Sequence, residues 1–426
     1  MQGLGKIKDT PIYCIPNNIE KYISFSLGKL DFIDSLQFMN ASLDRLVSNL
    51  AKEGRDKEGR DKVPLLLRKG VYPYDYMDKF QELQLPPKEA FYSKLKEEPI
   101  SDEDYEHAQT VFAAFQHQNL GDFHDLYLLS DVLLLADVFE NFRSICLSYY
   151  QLDPAHFFTS PSLAWAACLK MTGVELELLT DPDMYLFVEE GVRGGISIIS
   201  NRYAKANNPY VPGYLASLDT NYITYLDANN LYGWAMSQPL PKSDFAWLSE
   251  QEIRDFDVMG VADDSEEGFI LDVDLEYPKE LHDQHSDYPL APEKRKVSAD
   301  MLSPYCQQLN EELHLGGALV PKLVPNLQYK SRYILHYRNL KMYLNLGTKL
   351  TKIHRVLGFT QNTWLKEYID FNTEKRKQAV NDFEKDFFKL MNNAVFGKTV
   401  ENLRKRVNVK LVTEKKKLIK LSASPS

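Results

Sequence analysis

Apolar residues recur every three or four positions through residues 102–118 and again through 122–149, which predicts two helices in the first half of the chain. Upstream, residues 21–50 read as a strand, a turn and a helix, with Ser42 placed to cap LDRLVSNL. A tandem KEGRD at 52–56 and 57–61 predicts a duplicated, exposed loop without chemistry. Residues 64–99 are rich in Pro and Tyr and predict irregular structure. Turn formers at 207–213 place a domain boundary near residue 205. Beyond it, the β-branched and aromatic run YITYLD (222–227) predicts a strand, with turn residues and a short helix at 230–236 after it. The acidic stretch 250–276 predicts surface loops around one apolar strand near 269–275, and from Arg332 onward the pattern predicts mostly helix.

One helix is unusual. On a wheel at 100° per residue, Phe383, Phe387, Phe388, Leu390, Met391, Ala394 and Val395 share an apolar sector. Asp382, Lys385, Asp386, Lys389, Asn392 and Asn393 fall opposite, yet Phe396 lies among them, close to Lys389. An amphipathic helix needs no aromatic there. Lys389, Asn393 and Phe396 thus form one stripe ending at Gly397: a cation for phosphate oxygens, an amide, a flat ring for a base or sugar, and a residue that lets a ligand come close. On the wheel alone, a solvated lysine with Phe396 in a tertiary contact fits better. Asp227, at the predicted mouth of the strand, suits a metal ligand or a cap for the helix at 230–236 about equally well.

Composition narrows the class. With 44% apolar and 26% charged residues the chain reads as globular, and no run of about 18 apolar residues predicts a membrane span. The start MQGLGKIKDT has no signal-type apolar core, and four scattered cysteines without a CxxC pair fit an intracellular, reducing compartment rather than a zinc ribbon or disulfide frame. The net charge of −10 hides an asymmetry: residues 321–420 carry 23 Lys and Arg against 8 Asp and Glu. Eight aromatics interleave with these cations, from Tyr329 to Phe371, a mixture that suits phosphate contacts and base packing.

Lys389-x3-Asn393-Ala394-Val395-Phe396-Gly397 resembles motif B of the family B DNA-directed DNA polymerases, K-x3-N-S-x-Y-G, with Ala for Ser and Phe for Tyr. Asp227-Ala228-Asn229-Asn230-Leu231-Tyr232-Gly233 resembles their motif A, D-x-x-S-L-Y-P, with Asn230 for Ser and Gly233 for Pro. YLDANNLYGWAMSQPLP looks like the type 2, protein-primed branch found in viruses, organellar plasmids and DNA transposons. The resemblance implies that Lys389 binds the incoming triphosphate, that Asn393, Phe396 and Gly397 line the nascent pair, and that Lys377 or Arg376 holds phosphates from upstream. On one continuous helix Lys377 would face about 120° away from Lys389, so a bend or fold-back is required. It further implies that Asp227 and the Ala228 carbonyl hold two Mg²⁺ ions, and that Tyr232 excludes a ribose 2′-hydroxyl. Tyr127-x3-Asp131 resembles the third motif of the family's 3′–5′ exonuclease, with Asp131 on metal and Tyr127 orienting water. Arg193-Gly194-Gly195 resembles a Y-x-G-G element that contacts template DNA, with Val192 nearest the expected Tyr. Residues 32–46, FIDSLQFMNASLDRL, also look like this branch and read as core.

The implied fold class is α/β: a partial RNase-H-like exonuclease domain at 1–205, the first part of a polymerase palm with an insertion at 206–320, helical fingers at 321–400, and the start of a return to the palm at 401–426. The implied function is template-directed nucleotidyl transfer from dNTPs to a DNA primer 3′ end by two-metal chemistry, with template-primer, dNTP and a terminal protein primer as partners and no membrane. The family's D-T-D motif C does not occur in the sequence, and its first two exonuclease motifs, the D-x-E and one bearing Asn and Asp, are expected upstream of residue 1, which predicts little or no unaided activity. The competing expectation is a transposon- or virus-derived remnant that binds DNA without catalysis. A stand-alone nuclease resting on Asp131 lacks its upstream carboxylates, and a reverse transcriptase is disfavoured by Tyr232.

Overall fold

The computed structural model describes residues 12–17, 21–51, 63–201, 203–315, 320–407, 409–412 and 414–424, and the tandem KEGRD lies outside them. β1 (Ile12–Pro16), β2 (Tyr22–Leu27) and β3 (Leu30–Ile33) form an antiparallel meander. α1 (Leu43–Ala51) begins where Ser42 Oγ accepts the Arg45 amide at 3.3 Å. Phe38, Met39 and Leu46 are buried, so part of the 32–46 stretch is core as read, whereas Phe32 and Leu36 are exposed. α2 (Asp102–Ala114) starts at Ser101, which accepts the Asp104 amide at 3.0 Å, and three acids occupy its first turn, where the helix dipole favours them. α3 (Leu120–Tyr150) starts at Asn119, which caps the Asp122 amide at 3.1 Å, and α4 (Ser160–Thr172) stops at Gly173, whose φ of +59° suits glycine.

The chain then builds a second compact unit, Val174–Trp364, before returning to the first, Met1–Gly173 with Leu365–Ser426. The second unit runs α5 (Pro182–Gly191), α6 (Leu231–Met236), β4 (Leu240–Trp247), α7 (Glu250–Asp255), β5 (Glu267–Glu276), α8 (His282–His285), β6 (Glu293–Arg295), α9 (Pro304–Glu312), β7 (Lys322–Val324), β8 (Lys330–His336), α10 (Tyr337–Asn345) and β9 (Lys349–Asn362). Its main sheet is antiparallel in the order β4-β9-β5-β8, beside a β6-β7 ribbon. Strand alternation sorts β5 by face. Leu271, Val273 and Leu275 pack with Tyr333, Leu335, Tyr337 and Val356, while Asp272 and Asp274 pair with Arg332 at 2.8 Å and His354 at 2.9 Å. Phe187 of α5 packs against Ile334 and Leu357. The first unit is completed by α11 (Lys366–Gln378), α12 (Asp382–Thr399) and α13 (Lys415–Ser422). Cys146 and Cys168 are buried and unpaired, and burial pushes their thiols up to about 12.

One expectation is overturned and another is incomplete. Residues 222–227 form no strand: Tyr222, Ile223, Tyr225 and Leu226 are 61–94% exposed, and the run pairs with neither edge of the main sheet. β-branched composition suits a strand, but a strand exists only on a ladder partner. From Arg332 onward the chain is mostly helical as expected, through α10, α11, α12 and α13, but β8 reaches His336 and β9 fills 14 residues, strands that the pattern did not predict. β9 is inside the sheet and largely covered on both faces, so its apolar run loses the alternation that separates strand from helix. The strand at 269–275 and the helices at 102–118 and 122–149 are present, with shifted ends. Among the described residues no helix is long and apolar enough to cross a membrane.

His336 links fold to pH. It closes β8 and caps α10, its Nδ1 accepting the Arg338 amide at 3.4 Å, which requires a neutral ring. Burial, then the Arg338 charge, holds its pKa down to about 4 against an ordinary 6.5, opposed by a hydrogen bond with Gln361. The unfolded chain therefore takes up this proton first as pH falls. Stability present above pH 6.5 is lost on descent towards pH 4, by on the order of 2–3 kcal/mol. Urea midpoints measured across this range should fall for the native protein and fall less for His336→Gln; parallel curves would refute the assignment.

Candidate nucleotide and nucleic-acid sites

α11 and α12 are two helices, not one. The break at 379–381 folds α12 back onto α11, the reversal that Lys377 and Lys389 require. Asn381 caps α12 by accepting the Glu384 amide at 2.7 Å. A buried polar chain sets the pairing: Tyr150 Oη donates to Asn372 Oδ1 at 2.5 Å, Asn372 Nδ2 to Asn392 Oδ1 at 2.9 Å, and Tyr368 Oη to the Met391 carbonyl at 3.2 Å. Asn392 is 5% exposed, so it belongs with the core and not with the polar sector where the wheel places it. The wheel assigns a face by angle alone, whereas here a partner amide on α11 makes the buried position satisfiable.

Phe383, Phe387, Phe388, Met391, Ala394 and Val395 are buried as expected, and Lys389, Asn393 and Gly397 are exposed. A Cβ at Gly397 would meet nothing within 4 Å, so the packing of the chain itself does not demand glycine there. Phe396 is half-buried. Lys389 and Asn393 line a groove of about 420 Å³ whose opposite wall is Asn40, Arg45 and Asn49. Among the described residues Lys389 has no ion pair or hydrogen bond, and neither has Arg376. Lys377 is 70% exposed and stands 3.6 Å from Glu374. Arg45, inside the stretch that reads as core, and Asn49, beyond it, carry no local signal of facing α12.

In the second unit, Asp227 is exposed and makes no ion pair or hydrogen bond among the described residues, and Ala228 beside it is exposed too. It does not cap the short helix: α6 starts at Asn230, held at φ +55°, without a side-chain cap bond. A Cβ at Gly233 would lie 2.3–2.6 Å from the Asn230 amide group, so the two departures from the motif pattern are in contact, and a side chain at 233 would make the Asn230 amide move aside. Tyr232 is 53% exposed. Arg193 stacks 3.9 Å from the Tyr333 ring and donates to the Gly191 and Ile334 carbonyls at 3.1 and 2.6 Å, which anchors Gly194 and Gly195, both exposed with open space where a Cβ would be.

Tyr127 and Asp131 share a face of α3. The Tyr127 ring stacks on Tyr72 at 4.4 Å, and its hydroxyl bonds Tyr74. Burial, then these neighbours including Asp131, push the phenol above its ordinary range. A Cβ at Gly70 would sit 2.6 Å from the Tyr127 ring. The cavity beside it is about 20 Å³, room for one water and not for a strand of DNA. Asp131 Oδ1 is buried without a hydrogen-bond partner, the feature of this pair that suits a metal ligand. Among the described residues, however, no three His, Cys, Asp or Glu side chains converge on a point that would hold a metal ion. Neither Asp227 nor Asp131 therefore belongs to such a group among the described residues.

The profile of the family described as DNA polymerase type B, organellar and viral, matches residues 13–423. Comparison with curated proteins gives no match. Among solved structures, Phi29 DNA polymerase complexed with primer-template DNA and incoming nucleotide is similar at 14% identity and a TM-score of 0.48, over 92% of this chain and 54% of that one. Its orthorhombic crystal form gives 13% and 0.44 over 92% and 54%, and its complex with single-stranded DNA 13% and 0.42 over 93% and 54%. The chain spans about half the length of the polymerases it matches.

The two adjacent asparagines of α12 should behave oppositely. Asn392→Ala leaves the Asn372 amide unpaired in the core and should cost about 1–3 kcal/mol in urea unfolding, whereas Asn393→Ala, on the exposed stripe, should stay within about 0.5 kcal/mol. Equal costs would contradict the rotation of α12 described above.

Proposed function

The chain belongs to the organellar and viral type B DNA polymerases, and on that premise we propose that it is part of a DNA-directed DNA polymerase whose α12 stripe binds the incoming deoxynucleoside triphosphate. The reaction is transfer of a nucleotidyl group from dNTP to a DNA primer 3′ end, directed by a template. The observation that carries the proposal is the Lys389 amine, without a partner among the described residues, in a groove beside Asn393 on the helix bearing the motif. Its ammonium would pair with phosphate oxygens, with Arg376 and Lys377 on the antiparallel helix as further cations. Phe396 and Gly397 would meet the base pair, and Tyr232 would pack under the sugar. Residues 1–205 would supply the exonuclease-like part, with Tyr127 and Asp131, and residues 206–320 and 321–400 the first part of the palm and the fingers. DNA template-primer is the macromolecular partner, supported by the basic block at 321–420; a terminal protein is the primer expected of a protein-primed branch.

Type B polymerases generally use divalent metals. Asp227 and the Ala228 carbonyl would be this chain's ligands for them in the second unit, and among the described residues they belong to no group of three or more metal-ligating side chains. The competing reading is a transposon- or virus-derived remnant that binds DNA without catalysis.

Titration with a fluorescent dNTP should show Lys389→Ala binding at least about tenfold more weakly, the loss of one charge-assisted hydrogen bond, while folding is unchanged. Native-like affinity in that variant sinks the nucleotide assignment. Primer extension with Mg²⁺ separates the two readings: little or no synthesis is expected of the chain alone, and robust synthesis abolished by Asp227→Asn would establish the enzyme.

A further inference from the structure

The groove beside α12 has a second cation, and it is held in check. Arg45 Nη2 lies 2.7 Å from Asp386 Oδ2, and the two side chains are 63% and 55% exposed. Asp386, Lys389 and Asn393 follow one another at helical spacing along α12, and all of them line the groove with Arg45. The wall opposite α12 therefore presents a guanidinium to the same space that the Lys389 amine enters. An ion pair this exposed shifts an equilibrium by a factor of about five at most. A phosphate offers the planar guanidinium two acceptor oxygens in the geometry it matches best, and a stronger charge than one solvated carboxylate. Asp386 is thus a weak internal stand-in for a phosphate, and it can be displaced at little cost.

We propose that Arg45 is a phosphate-binding residue of this groove, released from Asp386 when a phosphate group enters, so that Arg45 and Lys389 grip a nucleotide unit from opposite walls. The proposal rests on the nucleotide reading above and adds to it a contact from α1 and a built-in competitor, Asp386. The phosphate belongs either to a deoxynucleoside triphosphate or to the backbone of a DNA strand; both present the same oxygens to a guanidinium.

Arg45→Ala, Asp386→Asn, the double variant and Lys389→Ala are compared with the native chain for binding of a fluorescent dNTP and, separately, a fluorescent single-stranded oligonucleotide, across a salt series. Arg45→Ala should weaken binding roughly fivefold to tenfold and lower the salt dependence of log affinity by about one. Asp386→Asn, which frees Arg45 and removes a negative charge, should tighten it. The double variant should bind less tightly than Asp386→Asn alone. If Arg45 and Asp386 merely tie α1 to α12, both single variants weaken binding alike and both lower the urea midpoint, and the proposal is overturned; it is overturned equally if Asp386→Asn leaves affinity unchanged. An effect confined to the dNTP assigns the triphosphate, and one confined to the oligonucleotide assigns the strand. Loss of binding in Lys389→Ala with no Arg45 or Asp386 effect removes only this inference. Opposed Arg45 and Asp386 effects with no Lys389 effect keep the phosphate site and remove the nucleotide reading.

Discussion

The rotation of α12 about its own axis decides which of its side chains face the groove, and a pair of buried amides fixes it. Asn372 on α11 and Asn392 on α12 bond each other in the core, and Tyr150 of α3 bonds the first of them. Turning α12 by one residue would take Asn392 out of reach and leave two amide groups unsatisfied in apolar surroundings, a cost of several kcal/mol. Aromatic packing alone is more forgiving, because Phe387 and Phe388 could trade places in a core of Phe142, Tyr149 and Tyr150. The amides remove that freedom. With Asn392 inward, Lys389 and Asn393 are outward, and the groove wall is defined.

The same logic of a polar tie setting the aim of a functional segment recurs in the second unit. Arg193, stacked on Tyr333 and bonded to the Ile334 carbonyl, fastens the two exposed glycines that follow it to β8. Asn207 bridges to the Leu215 and Asp219 carbonyls and gathers the loop that precedes Asp227. Buried Lys330 reaches Glu293 at 3.0 Å and Asn326 at 2.6 Å, tying the start of β8 to the β6-β7 ribbon. Each tie lies beside a segment without regular structure, where no ladder or helix would otherwise limit the backbone.

Much of the candidate site was legible because motif and mechanism depend on local spacing. Lys389, Asn393 and Phe396 share a stripe through helical geometry alone, and the required reversal upstream of α12 follows from the angle between Lys377 and Lys389. The pairing of Asn230 with Gly233 was not legible as a contact, since it needs the positive φ of Asn230 to bring the amide over the glycine. Arg45 was invisible for a different reason: more than 340 residues separate it from Asp386, and nothing local marks it as facing another helix.

Sequence by itself determined where the long helices start, through Ser42, Ser101, Asn119 and Asn381, because capping is a bond between neighbours three residues apart. It determined that Lys389, Asn393 and Phe396 share one stripe of α12, because that too is a matter of helical pitch. Tertiary structure alone decided that 222–227 is no strand and that 349–362 is one, since pairing partners are set by the sheet and not by the run itself. It alone decided that Asn392 is core while Asn393 is surface, and that an arginine from α1 shares a groove with Lys389. These outcomes depend on what lies across the gap from a residue, and periodicity along one element carries no information about the element opposite.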